Sequence, residues 1–78
     1  MSALEKLKLL GKMQDEMKNL RSRRNFTKKD MCDVCLPVRD ALGMDDRETL
    51  AIANGIASLS DIARILERSE RRDMAKSS

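Results

Sequence analysis

Cys32 and Cys35 are the residues of this chain whose type and spacing could do chemistry, because they form a Cys-x-x-Cys pair and no other cysteine is present. Such a pair can hold a metal ion or form a redox centre. A structural zinc ion needs about four ligands, and the chain has no histidine. A zinc site would therefore need the pooled thiolates of two chains, and that alternative stays open.

A redox role suits this pair poorly. Reactive Cys-x-x-Cys cysteines lie at a helix N-terminus, usually in a βαβ context. Here Asp30 and Asp33 lie close to the pair in sequence, and negative charge disfavours a thiolate. The i, i+3 spacing also places both cysteines on one side of a helix. We therefore expect Cys35 to be a core residue with Cys32 at the edge of the apolar face, and we expect no cofactor or metal.

Other catalytic groups are missing from the sequence. The chain has no histidine and no tyrosine, and its carboxylates lie beside lysines and arginines in amphipathic segments. This pattern offers neither a general base with a shifted pKa nor an activated nucleophile. We therefore expect a protein that is not an enzyme and whose function lies in its surfaces.

The composition predicts a single helical domain over residues 1–78. Leu, Ala, Met, Lys, Arg and Glu dominate, with three glycines and one proline in 78 residues, which is typical of an all-α protein. A domain of this size buries only roughly 60–65% of its unfolded surface, and Phe26 is its one aromatic residue. Because the core would be small, we expect a homodimer or an obligate complex.

The net charge of +3 is unevenly distributed. Residues 1–29 hold nine Lys/Arg against three acids, whereas residues 30–48 hold two against six. The run "KNLRSRRNFTKK" can contact phosphates or an acidic partner, although one aromatic residue is too few to favour single-stranded nucleic acid. The candidate contacts are Lys18, Arg21, Arg23, Arg24, Lys28 and Lys29, with Arg64 and Arg68 further along the chain.

Three helices would position these residues. Helical periodicity predicts a long amphipathic N-terminal helix at about 3–24. Capping by Thr27 and the stop at Gly43 predict a middle helix at about 28–42, kinked at Pro37 or divided into two short helices near Cys35. A long C-terminal helix is expected at about 45–72, followed by a frayed tail at 73–78.

The C-terminal helix shows the strongest pattern. Ile52, Ile56, Leu59, Ala63 and Leu66 repeat at spacings of 4, 3, 4 and 3, which is a heptad seam if the helix is continuous. A split near Gly55 to Ser60 is the alternative, because Ser58 and Asp61 form a capping pattern. The expected dimer or partner interface comprises Leu10, Met13, Met17, Leu20, Ile52, Ile56, Leu59, Ile62, Ala63 and Leu66.

The stretch "IANGIASLSDIARIL" resembles part of a helix-turn-helix motif. Its spacing before Ser58 is one residue too short for that motif, and Asp61 and Glu67 beside Arg64 and Arg68 would face the DNA. Carboxylates are a poor choice for the major groove. An unbroken heptad seam explains the same residues with fewer exceptions.

These features predict a small regulatory protein that binds another protein. Its few cysteines and the lack of a long apolar run indicate a cytoplasmic protein without a membrane span. The expected partner is a transcription regulator, by analogy in size and class with the antirepressors and anti-activators of phages and plasmids. The alternative is a small dimeric DNA-binding regulator that uses the basic arm or a degenerate helix-turn-helix in residues 50–68.

Overall fold

A computed structural model of the protein describes residues 1–77, with the side chains of residues 1–76, and this part of the chain folds into helices without a strand. The helices are α1 (Ala3–Arg21), α2 (Lys28–Leu42), α3 (Asp46–Ala53) and α4 (Leu59–Ser77). The predicted all-α class is confirmed. The three-helix count is not confirmed, because the C-terminal helix expected at 45–72 is divided into α3 and α4, as in the alternative of a split near Gly55 to Ser60.

Helix α1 begins at a capping box. The Ser2 hydroxyl accepts a hydrogen bond from the Glu5 N–H at 3.2 Å, and the Glu5 carboxylate accepts one from the Ser2 N–H, so two backbone donors at the helix start are satisfied. The helix ends at Arg21 rather than at residue 24. Its end is closed by Ser22, whose hydroxyl donates to the Asn19 carbonyl at 2.6 Å.

Helix α2 has the predicted bounds, and its predicted caps are confirmed. Thr27 and Asp30 form the capping box, and Gly43 ends the helix at a φ of 64°, where the Met44 N–H donates to the Arg39 carbonyl at 3.0 Å. Pro37 lies inside one helix of 15 residues. The alternative of two short helices is therefore wrong.

The break between α3 and α4 is built from two capping motifs. At the end of α3, Gly55 adopts a φ of 71°, while its N–H donates to the Ile52 carbonyl and the Ile56 N–H donates to the Ala51 carbonyl, each at 3.0 Å. This is the Schellman pattern of a helix C-terminus. The continuous heptad seam expected through Ile56 is therefore wrong, because residues 54–58 leave the helix.

Helix α4 starts at the second motif and includes most of the predicted frayed tail. Ser58 and Asp61 exchange hydrogen bonds of 3.1 Å, so the first turn is capped. At the other end, α4 continues to Ser77, and the Lys6 ammonium contacts the Asp73 carboxylate at 2.8 Å. Ser78 lies outside the described residues.

Helices α1 and α2 each pack against all of the other helices, and α1 does so most extensively. Its apolar face meets α2 and α3, and Ile65 adds the buried contribution of α4. The core therefore closes within one chain. Its buried apolar residues are Leu10, Met13, Met17, Leu20, Cys35, Val38, Leu42, Met44, Ile52, Ala53 and Ile65. Within the described residues, no helix is long and apolar enough to span a membrane.

We expect Gly43→Ala and Gly11→Ala to change stability in opposite directions. At Gly43, alanine would be forced into a left-handed conformation, and its Cβ would press on the Arg72 guanidinium, so the free energy of unfolding should fall by about 1–2 kcal/mol. At Gly11, inside α1, no atom lies within 4 Å of an added Cβ, so alanine should raise the free energy of unfolding by up to about 1 kcal/mol. Denaturant titration of both variants checks this. Stabilisation by Gly43→Ala would contradict the described end of α2.

Candidate functional site

An open groove lies between α3 and α4. Its volume is about 870 Å³, and its walls combine apolar, acidic and basic side chains. The residues that line it are Asp45, Arg47, Glu48, Leu50, Ala51, Asn54, Ile56, Ala57, Asp61, Arg64 and Ile65. We name this feature the α3–α4 groove. It exists because residues 54–58 turn the chain and separate the two helices.

The turn that opens the groove is held by α1. The Arg21 guanidinium donates to the Ala53 carbonyl at 3.0 Å and also to the side-chain oxygen of Asn54. Gln14, two turns earlier on the same side of α1, lies so close to Gly55 that a Cβ there would be 2.9 Å from the Gln14 amide nitrogen. The position of the turn is therefore fixed by tertiary contacts as well as by its own caps.

Helix α4 is anchored mainly from Ile65 onward. Ile65 and Ser69 are buried, and the Arg68 guanidinium contacts Glu48 Oε1 of α3 at 2.5 Å. The hydrogen bond from Lys6 lowers the pKa of the Asp73 carboxyl below its ordinary value, so the carboxylate form that pairs with the Lys6 ammonium is favoured. The first turns of α4 lack comparable ties, so they border the groove without closing it.

Hydrogen bonds at the start of α4 also set the charge of the groove. The backbone N–H of Ser58, followed by its hydroxyl, lowers the pKa of the Asp61 carboxyl, and Arg64 and Arg47 contribute in the same direction. The groove therefore keeps an ionised acid on α4 near arginines of both helices. Arg68 is bound by Glu48, which raises the pKa of its guanidinium.

Three large apolar side chains are exposed on either side of the break between α3 and α4, and two of them, Leu50 and Ile56, line the α3–α4 groove. Leu50 of α3 is 48% exposed, Ile56 in the turn is 75% exposed, and Leu59 at the start of α4 is 85% exposed. We call these three residues the apolar corner. Exposed apolar side chains gathered in one region mark interaction surfaces more often than isolated ones do.

The predicted interface residues divide between the core and the surface. Leu10, Met13, Met17, Leu20 and Ile52 are buried within the chain, so their side chains are covered without a second copy. Ile62 and Leu66 are half-buried against the core, and Ala63 is exposed. Of the ten predicted residues, Ile56 and Leu59 are the large apolar ones that reach solvent most fully.

The predicted basic contacts also divide. Arg21 and Arg68 are engaged in the internal contacts above, and Arg64 lines the α3–α4 groove. The remaining five are exposed, and none forms an ion pair or a side-chain hydrogen bond with residues 1–77. They are Lys18, Arg23, Arg24, Lys28 and Lys29.

The cysteines lie near a second, smaller hollow between α2 and α3, about 330 Å³ in volume. Cys35 is buried at 7% exposure, as predicted, and Cys32 is half-buried. Burial raises the pKa of the Cys35 thiol, and the neighbouring Cys32 adds to the effect. A raised pKa keeps the thiol protonated, which is unfavourable for metal binding or nucleophilic attack. Among the described residues, no group of three or more possible metal ligands is present.

Sequence reasoning missed the α3 wall of the groove. Asp45, Arg47 and Leu50 were not candidates, although they line it. The available signal was the pair formed by Gly55 and the Ser58–Asp61 capping pattern, which together predict a helix end followed by a helix start. A helix break at residues 54–58 leaves α3 as a separate helix of eight residues, and one face of α3 is then exposed.

We expect Arg21→Gln to loosen the turn between α3 and α4, whereas Arg23→Gln should not. Both changes remove one positive charge near the end of α1, but only Arg21 donates to Ala53 and Asn54. Loss of these hydrogen bonds should cost about 1 kcal/mol of unfolding free energy, since the site is partly solvated, and should speed hydrogen exchange at Gly55 and Ile56. Equal exchange in both variants would show that α1 does not hold the turn.

Comparisons with known proteins give no family for the chain. No protein-family model matches it, and no curated protein or solved structure resembles it significantly. Its function must therefore be argued from its own surfaces.

Proposed function

We propose that the protein is a small cytoplasmic regulator that acts by binding another protein at the α3–α4 groove. The observation that carries the proposal is the apolar corner: Leu50, Ile56 and Leu59 remain exposed although the chain fills its own core. Keeping three large apolar side chains in water is unfavourable, and covering each of them would contribute on the order of 1–3 kcal/mol. A binding partner supplies that cover.

The occupant that fits the groove is the apolar face of a helix from the target protein. Helices are commonly bound in grooves between helices, with apolar anchors at the centre and polar groups at the rim. Here Leu50 and Ile56 line the groove and supply the anchors, and Leu59 is exposed at the start of α4. Asp45 and Arg47 of α3, with Asp61 and Arg64 of α4, supply a rim of both signs. Such a rim would select the register of a target helix by its charges.

We propose a transcription regulator as the target, which this protein would sequester or modulate as antirepressors and anti-activators do. The support for this target class is the small size and helical architecture of the chain, which is an analogy rather than a property of the groove. A phage or plasmid origin rests on the same analogy.

We propose that the homodimer forms through a smaller surface than the predicted heptad seam. Five of the ten predicted interface residues are buried in the core of one chain, so a second copy would meet Ile56 and Leu59 rather than a continuous helical seam. Dimer formation would then cover the apolar corner of the free protein. The target would displace the second copy and bind a single chain.

A helix-turn-helix use of α3 and α4 is less well supported. The break at residues 54–58 provides the turn that the motif needs. However, the exposed start of α4 presents Leu59 and the ionised Asp61, and a carboxylate is repelled by the phosphates that flank the major groove. Helix α4 therefore fits a protein partner better than it fits DNA.

Capture experiments with matched variants test the protein-binding proposal. Ile56→Asp and Leu59→Asp place a charge on the apolar corner without disturbing the core, whereas Leu4→Asp changes a side chain that is 62% exposed at the start of α1. Lys6, two residues after Leu4, contacts Asp73, which is about 21 Å from Leu59 along α4 at 1.5 Å per residue. Bait protein of each type is exposed to extract from the cells that encode it, and bound proteins are quantified by mass spectrometry.

We expect wild type and Leu4→Asp to capture the same transcription regulator, and the two corner variants to capture at least roughly tenfold less, since a desolvated charge in an interface costs more than about 1.4 kcal/mol. Capture that is equal in all four proteins would contradict the proposed site. Circular dichroism confirms that each variant is folded.

Light scattering tests the dimer proposal separately. Wild type and Leu4→Asp should have about twice the mass of the 8.9 kDa chain at micromolar concentration, and Leu59→Asp should have the mass of one chain. A wild-type protein with the mass of one chain would refute the dimer. The proposal that the groove binds a target would then be decided by the capture experiment alone.

A further inference from the structure

The connection between α1 and α2 carries a concentrated positive surface. Its five lysines and arginines are exposed and form no ion pair or side-chain hydrogen bond with residues 1–77, whereas the described ion pairs use cations elsewhere, such as Lys6, Arg39 and Arg68. We call this surface the basic junction. It consists of Lys18 in the last turn of α1, Arg23 and Arg24 in the connection, and Lys28 and Lys29 in the first turn of α2.

Nearby acids do little to neutralise the basic junction. No acid occurs between Glu16 and Asp30 in sequence. Glu16 lies 3.9 Å from Lys12 on the preceding turn, and Asp30 accepts the Thr27 N–H at 3.0 Å as part of the α2 cap. Asp15 and Asp33 flank the surface. A capping carboxylate keeps its charge, so five cations face Asp15, Asp30 and Asp33, and a positive excess remains.

The side chains around the basic junction decide which polyanion it suits. A protein interface needs an apolar centre, but Phe26, at 38% exposure, is the one large apolar side chain exposed in this connection. Single-stranded nucleic acid needs several aromatic platforms. The phosphate backbone of a duplex needs positive charge alone. We propose that the basic junction binds the phosphate backbone of double-stranded DNA without sequence preference.

This interaction would be distinct from the protein-binding groove. It uses none of the residues of the apolar corner, and it goes beyond the proposed function. Only the choice of DNA over RNA rests on the proposed target, because a transcription regulator works on DNA. Contacts to phosphates position a protein without reading bases. The basic junction would hold the protein near DNA, where its target is found.

The proposal predicts a specific salt dependence. Five phosphate contacts give a slope of log K against log salt near −4.5, so affinity should fall by a few hundred-fold between about 50 mM and about 200 mM salt. Each cation removed from the basic junction should reduce that slope by about 1.

Fluorescence anisotropy with a labelled DNA duplex of mixed sequence tests the proposal. One variant combines Arg23→Gln, Arg24→Gln and Lys28→Gln. Its matched control combines Lys8→Gln, Arg71→Gln and Lys76→Gln, which are exposed cations outside the basic junction. Each triple variant removes three positive charges from a net charge of +3, so the two proteins have equal net charge.

We expect wild type and the control triple to bind at low salt with slopes near −4.5, and the junction triple to bind at least roughly tenfold more weakly with a slope near −2. Three results would overturn the proposal: no binding by wild type at about 50 mM salt, equal losses in both triples, or displacement of the duplex by polyglutamate as readily as by unlabelled DNA, which would indicate an acidic protein partner. Ile56→Asp should bind DNA as wild type does, so failure here and failure of the protein-binding groove are separable.

Discussion

The break between α3 and α4 is the constraint on which the rest of the structure depends. Gly55 supplies the left-handed residue, and the donors of Arg21 hold the end of α3 against α1. With the chain turned at this point, α4 leaves α3, and from Ile65 onward it packs against the core again. The first turns of α4 and the exposed face of α3 then border a groove. An unbroken helix would have joined these two faces into one seam and left no groove.

The two proposed surfaces differ in the physical interaction that each offers. The apolar corner offers burial of Leu50, Ile56 and Leu59, an interaction that salt hardly weakens. The basic junction offers charge, which salt screens. One chain can use both at once because they involve different residues. In the two proposals together, the protein would meet its target near DNA and bind it through apolar contact.

The sequence predicted the local structure well where a cap decides it. Thr27 with Asp30 and the glycine at 43 set both ends of α2, because capping groups act within a few residues of the chain. It predicted the C-terminal half less well, since Ile52, Ile56 and Leu59 satisfy a heptad and a broken helix equally. Periodicity depends only on the spacing of apolar residues, so it does not show that Arg21, distant in sequence, holds the turn after α3. Leu10 and Met13 were assigned to an interface for a similar reason: an apolar stripe is the same whether its own chain or another covers it.

The central claim is that residues 54–58 leave the helix and so open the surface between α3 and α4. Backbone NMR chemical shifts of the protein in solution test it most directly. We expect helical shifts over 46–53 and from 59 onward, non-helical shifts between them, and a positive φ at Gly55 from its coupling constants. Helical shifts that continue without interruption from Asp46 through Leu66 would contradict it, because α3 and α4 would then be one helix with a continuous seam.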